Sequence, residues 1–99
     1  MIMFGYETQT TFWTDFTIAD QFGADAIRDT FNRAFEEWKT HTAYLTELVM
    51  VLNWKMWEHY EKKHEALSRL YQSLWEKADA YAWDNLKGDD LNYYMVTTD

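Results

Sequence analysis

The densest cluster of side chains able to bind a metal or move a proton is Glu58-His59-Tyr60-Glu61-Lys62-Lys63-His64-Glu65. Zinc ligands on a helix are usually four residues apart, because only then do they share a face. His59 and His64 are five apart and do not. Glu61 has that relation with Glu65, and a near one with His64, but such spacing is common by chance. The stretch therefore reads as an exposed helix end or turn, and no metal or other cofactor is expected. Nucleophilic catalysis has little material: Cys is absent, and the two serines, Ser68 and Ser73, lie in no elbow motif. Glu47 sits among Tyr44, Leu48 and Val51. A carboxylate drawn inward there would have a raised pKa and could serve as a general acid. The plainer reading is a Glu hydrogen-bonded to a Tyr or Trp. There is no Gly-rich phosphate loop. The residues point away from an enzyme.

The remaining chemistry is charge and aromatic surface. The chain has 99 residues, a formal net charge of −8, six Trp, seven Tyr and six Phe. That is more aromatic area than a small core needs, so grouped rings at the surface are expected. Residues 1–38 hold seven acids against Arg28 and Arg33; residues 76–99 hold six against Lys77 and Lys87. The middle is near neutral. If the two ends meet, they form one negative patch. Such a surface repels phosphate and anionic lipid, so direct binding to nucleic acid or membrane is disfavoured. The plainer reading of the acidity is solubility; the sharper one is a surface that meets a basic partner. Trp57 and Trp75 fall at the edges of their helical stripes, while Trp83 falls off its stripe beside Asp79 and Asp84. An aromatic anchor among acids is a usual form of interface hot spot. The expected partner-binding set is Asp79, Trp83, Asp84, Asp89, Asp90, Tyr93 and Tyr94.

The elements that must position these residues are helices. The expected fold is a single mainly α domain, 1–99, built as a three-helix bundle over about 24–39, 43–62 and 65–86. In the first helix Ile27, Phe31, Ala34, Phe35 and Trp38 fall at steps of three and four. The second helix is the most apolar stretch, with Leu45, Leu48, Val49, Leu52, Met56 and Tyr60 on one stripe. Tyr44, Val51, Trp54, Glu47, Lys55 and Glu58 fall on its other side. The third carries Leu67, Leu70, Tyr71, Leu74, Ala78, Tyr81 and Ala82, with Asn85 closing the stripe. Residues 2–13 and 91–98 are rich in β-formers and are expected as extended segments that pair in a small β-ribbon. Between them and the bundle, Thr17 to Asp20 fits a loose capping box opening a short helical turn, and Gly23 interrupts. Thr40 or Thr42 is available as an N-cap.

Nothing between Tyr44 and Leu86 breaks a helix outright, and Tyr60, Leu67, Leu74 and Tyr81 stay in phase. A single helix of roughly 43 residues would be about 65 Å long and would need a partner chain along its seam. The alternative is a turn in the polar run Glu61 to Glu65, which a compact core favours. Lys87-Gly88 is the clearest stop. The start, MIMFGYET, lacks the basic flank and length of a signal peptide, and the longest apolar run, Leu48 to Leu52, is far too short to span a membrane. The absence of Cys is compatible with a reducing cytoplasm, the expected location.

The stretches YLTELVMVLNWKMWEHY and ADAYAWDNLKGDDLNYYMVTTD resemble small acidic proteins of conjugative elements and phages of gut bacteria. No activity is established for that group, so no site carries over. The resemblance implies an accessory gene of a mobile element, and such genes include anti-CRISPR proteins and DNA mimics that inhibit host defence nucleases. The functional expectation is an acidic interaction module that covers a basic, nucleic-acid-binding surface of a protein partner. The alternative is a structural or regulatory helical homo-oligomer, at its simplest a homodimer.

Overall fold

Helix α1 covers residues 12–20, followed by α2 (Ala24–Trp38), α3 (Thr42–Glu61), α4 (Glu65–Asn85) and α5 (Gly88–Thr98). These come from a computed structural model that describes residues 12–98. The chain is mainly α, as its periodicity predicts, but the described residues form five helices and no strand, so the three-helix bundle is a partial account. Residues 91–98 are helix, which removes one partner of the expected β-ribbon. The other partner, 2–13, lies outside the described residues except for Phe12 and Trp13, and these are helical. The β-forming composition of the C-terminal segment gives way because Tyr94 and Leu91, three apart, reach the bundle from a helix.

Phe12, Phe16 and Ala19 are buried at helical spacing, so Thr17 lies inside α1 and caps nothing. Gly23, at φ 105°, makes the break to α2, a conformation that only Gly adopts without strain. Neither Thr40 nor Thr42 caps α3; His41 occupies that position without a side-chain cap bond.

Helix α3 is the centre. It packs against α2, α4 and α5, most extensively against α4. Leu45, Leu48, Val49, Val51 and Leu52 are buried along it, which explains why its apolar residues are not confined to one stripe. Aromatic side chains close the core on both sides: Phe31 stacks on Phe35, Phe35 meets Tyr81 edge-on, and Phe16 meets Tyr71 edge-on.

The long-helix alternative is excluded. The molecule measures 38 Å in its longest dimension, well short of about 65 Å. The turn is built by the backbone: the N–H of His64 bonds the carbonyl of His59 (2.8 Å), and that of Lys63 bonds Tyr60 (3.1 Å). This is a Schellman closure with Lys63 at φ 63° where Gly is usual. Lys63→Gly is therefore expected to stabilise the fold by about 1 kcal/mol, read as an increase in Tm. An unchanged or lower Tm would show that the left-handed residue carries no strain.

Helix α5 touches α3 and α4 but not α2.

Candidate functional site

Three helices converge on Asp20. From α1, Asp20 and Thr17 are three apart and face the same way. From α3, Lys55, whose side chain is 1 % exposed, sends its ammonium to Asp20 Oδ2 (3.0 Å) and Thr17 Oγ1 (2.9 Å). Glu58 Oε1 lies 3.6 Å from the same nitrogen, and the Trp13 ring centroid 4.1 Å. From α4, the Tyr71 hydroxyl donates to Asp20 Oδ1 at 2.5 Å. His59 Nε2 reaches Asp20 Oδ2 at 3.1 Å, and its ring stacks on Tyr71, 9° from parallel. One carboxylate thus accepts from an ammonium, an imidazole and a phenol. Burial raises the Tyr71 pKa far above its usual value, and the bond to Asp20 and the Asp20 and Glu58 charges add to this.

His59 and His64 do come together, with Nδ1 atoms 3.2 Å apart. Spacing on one helix does not permit this, but the two residues are not on one helix. They are the third-last helical residue and the second residue beyond the cap of a Schellman turn, positions that such a turn brings into contact. The ring centroids are 5.4 Å apart, so the nitrogens lie nearly on the line between the rings and face each other, as in an N–H···N hydrogen bond. In that bond one Nδ1–H donates and the other Nδ1 accepts, and the His59 Nε2–H donates to Asp20.

Ligand atoms of Asp20, Glu58 and His59 lie within 4.8 Å of one another, a spacing open to a metal ion. The Lys55 ammonium stands among them, however, and already supplies the positive charge the two carboxylates call for. The cluster ties α1 to α3 and α4 and offers no free nucleophile. Glu47 Oε2 is buried without a hydrogen-bond partner, so the expected bond to a Tyr or Trp is absent at that oxygen. Burial raises the Glu47 pKa.

The expected partner-binding residues divide. Trp83 and Tyr93 are about half exposed, and Asp84, Asp89 and Asp90 are exposed. Tyr94 is not a surface residue. It is fully buried, its hydroxyl donates to Asp79, and Trp83 lies edge-on to it. Asp79 is thereby half-buried and engaged within the protein. Burial, then the Asp79 bond and charge, raise the Tyr94 pKa strongly.

These two tyrosines set an alkaline limit. Their raised folded pKa values mean that stability is fully present below pH about 10 and falls above it, because unfolding then releases their protons. The expected slope approaches about 2.7 kcal/mol per pH unit for two groups, measured by denaturant titration between pH 9 and 11. Tyr94→Phe should halve it; a flat profile would contradict the burial of both hydroxyls.

Sequence reasoning missed two exposed features beside these residues. A cleft of about 450 Å³ between α3, α4 and α5 is lined by Met50, Asn53, Trp75, Trp83, Met95 and Val96, among others. Met95 and Val96 are exposed because α5 is a helix; as a strand they would have been assigned to pairing. A second recess, of about 390 Å³, is lined by Trp13, Asn53, Trp54, Trp57, Glu58 and Glu61. Asn53 borders both, so the two recesses are neighbours across α3. A further recess, of about 890 Å³ between α1 and α2, brings together no hydrogen-bonded cluster of titratable groups among the described residues. No described helix is long and apolar enough to cross a membrane. Compared with known proteins, the chain matches no family model, no curated protein and no solved structure.

Proposed function

We propose that the protein is an acidic protein–protein interaction module of a mobile element. In this reading it inhibits a host defence protein by covering a basic, nucleic-acid-binding surface, in the manner of anti-CRISPR proteins and DNA mimics. The observation that carries the reading is the cleft at the corner of α3, α4 and α5. Trp83, Met95 and Val96 are 50 %, 42 % and 77 % exposed there. An apolar patch of this kind on a small acidic domain is costly unless something covers it. Asp84, Asp89 and Asp90 lie exposed on the same two helices, which favours a basic partner over an acidic one.

A homo-oligomer would cover the patch as well, but each copy carries a net charge of −8, and like charges oppose the approach. Light scattering separates the readings. The interaction module is a 12.0 kDa monomer at micromolar concentration, whereas a stable dimer would replace this proposal with the oligomer. Binding to the partner should weaken steeply with salt, since the Debye length falls from about 10 Å at 0.1 M to about 3 Å at 1 M.

A further inference from the structure

The second recess has a more specific chemistry than the first. We infer that the pocket between Trp13, Trp54 and Trp57 is a subsite for an arginine guanidinium of the protein partner, an assignment that rests on the proposed basic partner and names the group it presents. Three indoles line one opening. Trp54 and Trp57 are more than half exposed, and Trp13 meets Trp54 at 88° with centroids 6.0 Å apart. Trp is the strongest of the aromatic side chains for holding a cation over its face. This corner already does so once, since the Lys55 ammonium lies over the Trp13 ring.

The carboxylates select the charge. Glu58 is engaged by Lys55 and Lys62. Glu61, one turn beyond Trp57 and exposed on the same helix, has no ion pair among the described residues and lines the pocket. A cation placed between the indoles would find this carboxylate at the rim. Arginine suits the pocket better than lysine. Its guanidinium is weakly hydrated, stacks on an indole, and can turn its N–H edge to a carboxylate, whereas an ammonium loses more hydration for one contact.

The test uses the chain alone with N-acetyl-arginine amide as probe, followed through the indole N–H signals in NMR. The expected result is a saturable shift of the Trp54 and Trp57 signals. The apparent affinity should be weakened about two- to fivefold or more by Trp57→Ala, and also by Glu61→Gln, with N-acetyl-lysine amide binding more weakly. Trp57 is exposed, so its removal leaves the core intact. Trp83→Ala, in the neighbouring cleft, should leave the shift unchanged. No saturable shift, or equal binding of the lysine probe, overturns the subsite. A variant at Trp83 that loses the protein partner while the arginine shift is absent would overturn the subsite and leave the interaction reading standing. Arginine binding without any partner-dependent loss at Trp83 would do the reverse.

Discussion

Asp20→Ala is expected to destabilise the protein by about 3–5 kcal/mol, the usual result of removing one partner from a buried ion pair. The side chain accepts from Lys55, His59 and Tyr71 at 3.0, 3.1 and 2.5 Å. Without it, the ammonium of the buried Lys55 side chain keeps only Thr17, the more distant Glu58 and the Trp13 face. A domain of about 100 residues has roughly 5–15 kcal/mol in total, so the loss would be a large share of its stability. Lys55→Met should cost less, because it removes the charge together with its desolvation and keeps the apolar stem. Denaturant unfolding of both variants and of the double variant measures the coupling. Additive effects, or a loss below about 1 kcal/mol for Asp20→Ala, would show that the cluster does not hold α1 to the bundle.

Trp83→Ala is the second large effect, and it concerns binding. An exposed Trp at the centre of an interface typically contributes 2–4 kcal/mol, so affinity for the partner should fall by about 30- to 1,000-fold. Stability should change little, since Trp83 is half exposed and its chief contact is one edge-on meeting with Tyr94. Asp84→Asn should act differently, lowering the association rate and flattening the salt dependence. If Trp83→Ala unfolds the protein, Val96→Asp tests the same surface from α5, where the side chain is 77 % exposed.

Much of the helical scaffold is legible in the sequence. The expected bounds 24–39, 43–62 and 65–86 differ from the observed helices by a residue at most ends, because the apolar period is strong and Gly23 breaks the chain before α2; Gly88, expected as the cap that ends the third helix, instead opens α5, and Leu86 caps α4. The buried path along α3 is less legible. Tyr60 continues the apolar stripe yet is exposed, while Lys55 and His59, which look like surface residues, are buried. Their burial depends on Asp20, at least 35 residues earlier, and no local pattern encodes that contact. A hint exists in hindsight: Val51, Lys55 and His59 are spaced four apart in the most apolar stretch, and so follow one side of the helix. The His59–His64 contact was hidden for another reason. It depends on Lys63 adopting a left-handed conformation, which a Lys gives no reason to expect. The interface residues were legible as types but not as places. Composition marked Tyr94 and Trp83 alike, and only the packing of α5 buries one and exposes the other.

The most direct test of the proposed function is parallel affinity capture from the native host with the wild-type chain and the Trp83→Ala chain, washed at about 0.1 M and about 1 M salt. The interaction reading predicts a nucleic-acid-binding protein that the wild type retains at low salt and releases at high salt. The variant should fail to retain it, and its binding to duplex DNA should be blocked by the wild-type chain. Identical capture by both baits, or capture indifferent to salt with DNA binding intact, would contradict it.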